Sequence, residues 1–352
     1  MKFRQRTVVA SLIAGLLGSL TGTAHAAKYK IHWYLGHANL DYFEAAAADF
    51  KKVVETRSRG DISVEIVPAA LDTAHTAASS GIADKVERGE IEMGHSFTDV
   101  VGSMDPQLYA FEAPYLFRDY RHMEGVFEGP VGAKMLESLD AHHIVGLSFT
   151  YSGGGSGVAT LNREIHRPED LKGLKVAVYG DAVNAAWLKS LGAVPVAIGH
   201  NIDSVSDLAR EGKVDAVVTT WRNFERTSLN KNFKYFNMTG STYLVSMTYV
   251  NQKFFDNLPA EYRVLLLDAS QEAGRIERAK TIELNESAKR EMLGKGVRPV
   301  FLTAAGKRSF ERALRPAYER SIDGILGKGL VEKIRKTGDG PQPQMPGDFA
   351  AR

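Results

Sequence analysis

Short strand-like runs alternate with amphipathic helical windows along most of this chain, and this alternation limits the possible folds more than any other sequence feature. Asp41 to Arg57 carries apolar residues at three- and four-residue spacings, which predicts a helix with one buried face. Alternating strands and helices indicate an α/β fold with substantially parallel sheets. Further helices are predicted at Gly81 to Arg88, up to Ser190 and at Ser204 to Arg210, and strands at Tyr29 to Leu35, Ile62 to Val67, Ile91 to His95, Val176 to Tyr179, Val194 to Ala197 and Val214 to Val218.

The composition indicates a chain with two apolar cores and no covalent cross-links. There are no cysteines, which excludes disulfides, thiolate catalysis and cysteine metal sites. Apolar residues make up 44% of the 352 positions, enough for two lobes, since single cores stop growing near roughly 250 to 300 residues. The formal charge is only +2 and no basic block is present, so nucleic acid is not an expected partner.

The first 26 residues have the pattern of a cleavable export signal. Lys2, Arg4 and Arg6 form a positive start, a short apolar run follows, and Ala24-His25-Ala26 offers a small-x-small cleavage pattern. The run is shorter than the roughly 20 residues that a membrane-spanning helix needs. We therefore expect residues 1–26 to be removed near Ala26 and the mature chain to be periplasmic, with an uncleaved anchor as the alternative.

A long helical pattern begins at Pro259 and continues to about Leu293. At 1.5 Å per residue, an unbroken helix of this length would be about 50 Å long, more than the width of one small domain. The alternative is two ordinary helices with a break near Gly274. The sequence leaves both possibilities open.

The sequence contains none of the catalytic templates that we considered. It has no His-Glu-x-x-His motif and no phosphate-binding loop, and the run Gly153 to Val158 lacks the second glycine of a Gly-x-Ser-x-Gly elbow. The ten histidines are scattered, and the pair His142-His143 is expected on opposite faces of a strand. We therefore predict a protein that is not an enzyme and that has no cofactor and no bound metal.

Several segments together resemble one family, the extracytoplasmic solute receptors of tripartite ATP-independent periplasmic (TRAP) transporters. The most specific segment runs from Leu161 to Val178 and contains Pro168-Glu169-Asp170-Leu171-Lys172-Gly173-Leu174-Lys175. The resemblance covers about Tyr29 to Val331, and its other segments, in the family's order, are Glu112 to Phe117, Leu191 to Val196, Glu211 to Ala216, Thr239-Gly240 and Val250 to Pro259.

The resemblance implies a two-lobed periplasmic-binding-protein fold with mixed sheets flanked by helices and a ligand cleft at the hinge. It also implies one long helix that spans both lobes. The expected layout is 27–149 plus 243–283 for lobe I, 150–242 plus 284–332 for lobe II, and a flexible tail at 337–352, whose glycine- and proline-rich composition is typical of disorder.

The chain departs from the family at the positions that usually hold a ligand carboxylate. Ala177 stands where the resemblance places a strand arginine, and Ser156 where it places a second one. Thr219 lies in a segment where the family often has Glu-Asn-Pro. Arg222 could place its guanidinium in the cleft with Trp221 as a wall, or pair with a glutamate on its own helix.

Other candidate ligand-binding residues follow the predicted strands. His37 and Asn39 follow the first strand, and Ser96, Phe97 and Thr98 follow the third, where ligands of α/β sheets commonly bind. Tyr151 and Tyr179 are expected at strand ends facing the cleft, or alternatively in the core. The glycines between 153 and 157 either let backbone N–H groups approach a ligand or form a flexible crossover between lobes.

These features predict a periplasmic receptor that binds a small polar organic metabolite and delivers it to the membrane permease subunits of a TRAP transporter. We expect a monomer. Without the family arginines, the ligand is either an anion held elsewhere or a neutral or zwitterionic solute. The alternatives are a receptor that presents its ligand to a signalling partner and an exported enzyme on the same scaffold.

Overall fold

The computed structural model describes residues 26–36, 41–68, 75–178, 182–198, 201–326 and 329–343. Within these ranges the chain forms two mixed β-sheets, each flanked by helices, which confirms the predicted α/β class. The strands are β1 (Tyr29–Leu35), β2 (Ile62–Pro68), β3 (Met93–Phe97), β4 (Ile144–Gly155), β5 (Gly157–Thr160), β6 (Lys175–Val178), β7 (Val194–Ala197), β8 (Ala216–Thr219), β9 (Tyr235–Met238), β10 (Tyr243–Asn251) and β11 (Arg298–Phe301).

The first sheet has the strand order β2-β1-β3-β10-β4. β1 pairs in parallel with β2 and β3, whereas β10 runs antiparallel to both β3 and β4. The second sheet has the order β11-β9-β5-β8-β6-β7. There β5 runs antiparallel to β8 and β9, and the remaining pairs are parallel. Each sheet therefore contains parallel strands whose carboxyl ends share an edge.

The helices cover both faces of the two sheets. They are α1 (Asp41–Arg57), α2 (His75–Glu87), α3 (Thr98–Val101), α4 (Tyr120–Phe127), α5 (Pro130–Glu137), α6 (Ala182–Ser190), α7 (Val205–Arg210), α8 (Trp221–Arg226), α9 (Gln252–Asp256), α10 (Ala260–Gly294), α11 (Ala304–Leu326) and α12 (Leu330–Lys336). Short 3₁₀ helices lie at Pro106–Glu112, Ser138–His142, Pro168–Leu171, Ile202–Ser204 and Leu229–Lys231.

Alternation along the strands divides the apolar residues of each sheet between two cores. In β6, Val176 and Val178 pack in the cluster that contains α6 and α11, whereas Ala177 packs in the cluster that contains α8 and the end of α10. Successive side chains point to opposite faces of a strand, so a short apolar run fills both cores. This is why the strands of the second sheet are almost continuously apolar.

The long helical pattern forms one unbroken helix, α10, of 35 residues. Its first half packs on the first sheet through Leu266 and Ala273, and its second half packs on the second sheet through Ala288 and Met292. Gly274 lies inside this helix, and a Cβ there would lie 3.3 Å from the Ser148 hydroxyl of β4. The glycine thus allows close approach to the sheet and does not break the helix.

Some local predictions were wrong in detail. Helix α2 begins at His75, six residues before the predicted start, and β3 begins two residues later than predicted. His142 and His143 lie at the end of a 3₁₀ helix, with His143 in the left-handed region, and not on a strand. Helix α7 begins at Val205, one residue later than predicted.

The segment after α12 contacts the first-sheet side of the molecule. Arg118 donates to Asp339 Oδ1 (2.6 Å) and to the carbonyl of Thr337, and the Gly340 N–H donates to the carbonyl of Arg121. Residues 344–352 of the predicted tail lie outside the described ranges. None of the helices within those ranges combines the length and apolar composition that crossing a bilayer requires.

Candidate functional site

Two crossover segments connect the sheets and lie side by side. Ser156, between β4 and β5, donates its N–H to the carbonyl of Thr242 (2.8 Å), which precedes β10. The two hydroxyls are 2.5 Å apart, and the Gly240 N–H donates to the carbonyl of Ser156 (3.0 Å). Because the two crossovers are hydrogen-bonded to each other, they form one narrow connection between the sheets.

A small cavity lies beside these crossovers, where β6 and β8 end. It measures about 20 Å³, room for about one water molecule, so the described part of the gap between the sheets is nearly closed. The described residues that line it are Glu112, Ser156, Val178, Val218, Thr219, Thr220, Thr242 and Leu244. They come from the 3₁₀ helix at Pro106–Glu112, from both crossovers and from the ends of β6, β8 and β10.

The cavity has the lining of a small-ligand site, with apolar walls and a few polar groups, but the sheets must move apart for it to admit an organic solute. The polar groups are the hydroxyls of Ser156 and three threonines, together with the carboxyl group of Glu112, which is 3% exposed. Among the described lining residues there is no arginine, lysine or histidine. The described wall is therefore rich in hydroxyls and carries one acidic group.

The turn after β8 links the cavity to the long helix. The Thr220 hydroxyl accepts from the Asn223 N–H (3.3 Å) and caps α8. Two residues after Thr220, the Arg222 N–H donates to Oδ1 of Asn285 on α10 (3.2 Å). The Asn285 side chain also lies beside Gly154, whose φ of +78° favours glycine. These contacts connect the β8–α8 turn to α10 and to the end of β4.

Ser96, Phe97 and Thr98 lie together at the end of β3, and their polar atoms bond within the first sheet. The Ser96 hydroxyl is 2.8 Å from the hydroxyl of Tyr249, and the Thr98 hydroxyl donates to the carbonyl of Val245 (3.1 Å). Phe97 is 9% exposed. None of the three is among the described residues that line the small cavity.

Tyr151 is fully buried in the core of the first sheet. Its ring stacks on Tyr120 with centroids 5.2 Å apart, and its hydroxyl donates to Glu124 Oε1 (3.5 Å). Burial raises the pKa of the Tyr151 phenol well above its usual value, so the hydroxyl stays a neutral donor. The Thr281 hydroxyl of α10 donates to the Tyr151 carbonyl (3.0 Å). These contacts correspond to the core alternative for this residue.

Ala177 and Trp221 both pack in the second-sheet core. Ala177 is fully buried, and its neighbour Val178 lines the cavity. The Trp221 ring stacks on Phe236 with centroids 3.8 Å apart, and its indole N–H donates to the sulfur of Met238. Two other predicted site residues, Ser156 and Thr219, do line the cavity.

Arg222 lies in the first turn of α8 and pairs with a glutamate on the same helix. Its Nη1 is 2.5 Å from Glu225 Oε2, and the two side chains are about 20% exposed. This is the ion pair that the alternative interpretation of Arg222 predicted. Of the remaining candidates, His37, Asn39 and Tyr179 lie outside the described residues.

The sequence analysis did not single out the acidic lining residue, Glu112, or the hydroxyl of Thr242. Glu112 belongs to one of the segments that carry the family resemblance. It is the one acidic residue in the apolar run from Leu108 to Phe117, and this isolated charge could have marked it as a candidate site residue. Thr242 follows Thr239-Gly240. A cluster of small polar residues between two strands was the signal that marked this second crossover.

A buried ion pair joins α10 to the first sheet. The Arg278 guanidinium, 2% exposed, donates to both carboxylate oxygens of Glu124 (2.8 and 2.9 Å) and to the carbonyl of Phe149 (2.8 Å). It also lies 2.5 Å from Glu128 Oε1. Burial raises the pKa of Glu124 even beside this cation. Removing the cation would leave that carboxylate costly to ionise.

A second buried polar pair lies between β3 and α10. His95 Nε2 is 3.5 Å from Glu277 Oε2 and 3.3 Å from the Thr150 hydroxyl, which in turn is 2.7 Å from that of Ser246. Burial lowers the pKa of His95 to about 3 and raises that of Glu277 well above its usual value. His95 is therefore neutral near pH 7, and burial shifts Glu277 towards its protonated form. Within the described ranges, no cluster of three or more histidine or acidic side chains has metal-binding geometry.

Comparison with known proteins gives a consistent assignment. Residues 36–324 match the model of bacterial extracellular solute-binding protein family 7. The chain is 27% identical over 281 residues to the C4-dicarboxylate-binding periplasmic protein DctP of Rhodobacter capsulatus, covering 79% of this chain and 82% of the relative. It is 26% identical over 283 residues to the 2,3-diketo-L-gulonate-binding periplasmic protein YiaO of Escherichia coli strain K12, with the same coverage.

Solved structures share the fold. A TRAP periplasmic solute-binding protein from Ochrobactrum anthropi, with its C-terminus bound in the ligand-binding pocket, superposes with a TM-score of 0.80 at 20% identity, covering 88% of this chain and 94% of that one. One from Roseobacter denitrificans, with bound β-D-glucuronate, gives 0.77 at 20% identity, covering 88% and 100%. With most of its length matched by the family model and two sheets around a cleft, this chain belongs to bacterial extracellular solute-binding protein family 7, the DctP-type receptors of TRAP transporters.

Proposed function

We propose that this receptor captures a small polar organic solute in the cleft beside the crossovers and delivers it to the permease subunits of a TRAP transporter. The observation that carries the proposal is the hydroxyl-rich cavity where β6 and β8 end, beside the connection between the sheets. A ligand that contacts both sides there favours the closed arrangement, because only that arrangement lets it make both sets of contacts. The membrane partner then recognises the closed form.

The lining favours a ligand that presents hydrogen-bond donors. Glu112 makes the lining acidic, which disfavours a second carboxyl group beside it in a poorly solvated site. The hydroxyls of Ser156 and Thr219 can donate or accept. We therefore propose a neutral, hydroxylated or ammonium-bearing solute rather than a simple dicarboxylate.

A thermal-shift screen with matched metabolites tests this. Purified mature protein is heated with organic acids, with the corresponding alcohols and amines, and with sulfonates and polyols, at one ionic strength. A tight ligand at a hundred times its Kd adds about 2.7 kcal/mol to stability, which raises the Tm by several degrees. We expect stabilisation by a neutral or amine-bearing member. Stabilisation only by dicarboxylates would contradict the ligand class, and no stabilisation by any class would contradict receptor function.

Three further parts of the proposal have direct tests. The receptor acts as a monomer, so light scattering should give the mass of one chain. It does not convert its ligand, so the bound ligand should be recovered chemically unchanged. Export removes residues 1–26, so the intact mass should correspond to a chain that starts at Ala27.

We also propose two lobes, one around each sheet, with residues 27–149 and 243–283 in the first and 150–242 and 284–332 in the second. The end of β4, residues 150–155, stays in the first sheet, and Val331 packs in the first-sheet core. The place of β10 inside the first sheet supports the first of these assignments. X-ray scattering with and without the stabilising ligand should show a smaller radius of gyration in its presence. An unchanged curve would contradict a closing motion.

A further inference from the structure

Tyr115 joins the cores of the two sheets. Its neighbours Ala113, Leu116 and Phe117 are buried in the first-sheet core, together with residues of β4 and β10. The ring of Tyr115 packs instead against the second-sheet core that contains α6 and the first half of α11. A segment that belongs to one sheet therefore places one aromatic side chain on the other.

The backbone conformation of Tyr115 accounts for this placement. In an extended chain, residues 113 and 115 would face the same side, because side chains alternate there. Tyr115 has a φ of +55°, in the left-handed region that non-glycine residues seldom adopt, and this conformation breaks the alternation. Its N–H donates to the carbonyl of Ser241 in the second crossover (2.7 Å), which holds the turn in place. Such a conformation persists only where the surroundings stabilise it.

Helix α11 covers the Tyr115 ring from the second-sheet side. Lys307 Nζ lies 5.9 Å from the ring centroid, a distance at which a cation is attracted to the face of an aromatic ring. Phe310 and Leu314 of the same helix are buried in the cluster on which the ring packs. If the sheets move apart and each segment stays on its own core, the ring loses this cover.

The hydroxyl of Tyr115 does not account for its position. It is buried and has no hydrogen-bond partner within the described part of the chain. Burial, together with the charge of Glu311, raises the pKa of the Tyr115 phenol, so the hydroxyl stays neutral. A buried hydroxyl without a partner costs free energy. The contact between the two cores is therefore made by the aromatic ring.

We propose that Tyr115 is a positioning residue for ligand capture, whose ring contact with α11 favours the closed arrangement of the sheets before a ligand binds. This inference rests on the closing motion of the proposed function. Tyr115 is not among the described residues that line the small cavity, so it acts on the arrangement of the sheets and not on the ligand. A larger closed fraction raises the apparent affinity for any ligand that binds the closed arrangement.

Pulsed electron paramagnetic resonance on the ligand-free protein tests the proposal. Because the chain has no cysteine, Lys85→Cys on α2 and Lys189→Cys on α6 allow one spin label on each side. Both lysines are exposed, and the two helices pack in the two cores that Tyr115 joins. We expect a closed population at the distance between these helices in the structure, and an open population at another distance. In Tyr115→Gly, which keeps the backbone turn without strain, the closed-to-open ratio should fall about tenfold, the usual effect of losing a large buried side chain.

Two further substitutions separate the ring from the hydroxyl and from the cation above it. Tyr115→Phe should keep the closed-to-open ratio or raise it up to about fivefold, because it removes only the hydroxyl without a partner. A fall as large as that in Tyr115→Gly would overturn the role of the ring. Lys307→Met should lower the ratio about two- to fivefold. Arg308→Met is its matched control, since Arg308 is the next residue on α11 and is exposed, and it should leave the ratio unchanged.

Tyr235→Ala is the control for loss of a tyrosine. Arg298 lies 5.6 Å from the Tyr235 ring centroid, but both residues belong to the second sheet, so this variant should lower the urea midpoint and keep the ratio. An unchanged ratio in folded Tyr115→Gly, or a parent without the closed population, would overturn the inference. If Tyr115→Gly does not fold, Lys307→Met decides, and a ratio equal to that of Arg308→Met would overturn it. No ligand is used, so this inference and the receptor function fail independently.

Discussion

Arg278→Met should destabilise the protein strongly and in a pH-dependent way. The substitution keeps a long apolar side chain in place and removes the guanidinium that contacts Glu124, Glu128 and the carbonyl of Phe149. Glu124 then remains buried without its cation. Breaking a buried pair by removing one partner typically costs about 3–5 kcal/mol.

The structure gives an estimate within that range. Without its cation, Glu124 will take up a proton, and holding it protonated at pH 7 against an ordinary pKa of 4.5 costs at most about 3.4 kcal/mol, at 1.36 kcal/mol per unit. The lost hydrogen bond to the Phe149 carbonyl adds about 1 kcal/mol. The expected loss is therefore about 4 kcal/mol, or a Tm lowered by about 6 °C for a chain of roughly 320 residues.

The pH dependence distinguishes this cause from simple loss of packing. In the variant the folded pKa of Glu124 lies above its unfolded value, so its stability falls as pH rises above about 4.5. The deficit relative to the parent should shrink by up to about 1.4 kcal/mol per unit as the pH is lowered from 7 towards 5. Urea denaturation at pH 5, 6 and 7 measures it. In Arg278→Met/Glu124→Gln most of the pH-dependent deficit should disappear.

Arg275→Met is the control on the same helix. Arg275 pairs with Glu272 and Glu128, but it is 36% exposed, and exposed pairs contribute only about 0–1 kcal/mol. An Arg278→Met deficit as small as that of Arg275→Met, or one that does not change with pH, would refute the reasoning.

Three further predictions concern the crossover, the cleft and the buried histidine. Gly154→Ala should destabilise the protein more than Gly173→Ala. Both glycines have φ near +78°, but a Cβ at 154 would lie 2.5 Å from the Tyr120 hydroxyl, whereas one at 173 would have no atom within 4 Å. Equal urea midpoints for the two variants would contradict a steric clash at 154. Arg222→Ala should leave the Kd for a neutral cleft ligand within about threefold in calorimetry, because its guanidinium pairs with its own helix, and loss of binding would place it in the site. The parent should lose stability as the pH falls from 6.5 to about 3, by up to roughly 1.4 kcal/mol per pH unit, because the unfolded imidazole takes a proton that the buried one does not. In His95→Gln this pH-dependent loss should be absent. Stability curves that run parallel for the parent and the variant would exclude a contribution from His95.

Local periodicity predicted the helices and strands well where neighbouring residues decide the outcome. β1, β7 and α1 have the predicted bounds, because their apolar spacing matches only one type of element. The start of α2 was missed because residues 75–80 are small and polar and lack an apolar period. The sequence left open whether α10 continues past Gly274, because helix propensity alone disfavours glycine there. The helix does continue, since Gly274 lets it pack closely against β4, a contact that local sequence does not show.

The cavity was harder to predict because its lining residues come from distant parts of the chain. Glu112 and Thr242 are separated by 130 positions, and nothing in their local sequence indicates that they share a cavity. Tyr151 lies inside β4 and Trp221 in the first turn of α8, and their ring contacts with Tyr120 and Phe236 are long-range features of the packed cores. Local sequence patterns do not indicate such contacts, so they could not show which way these two side chains point.

The unbroken helix α10 determines where the molecule can bend. Thr281 bonds to β4 of the first sheet, and Asn285, one turn later, bonds to the first turn of α8 on the second sheet. Gly154, near the end of β4, lies against the same Asn285. An opening that keeps both halves of α10 packed must therefore bend the helix between Thr281 and Asn285 or break the Asn285 hydrogen bond. Because both sheets also join through their crossovers beside this level of the helix, we expect opening to occur here, next to the cavity that Thr219 lines.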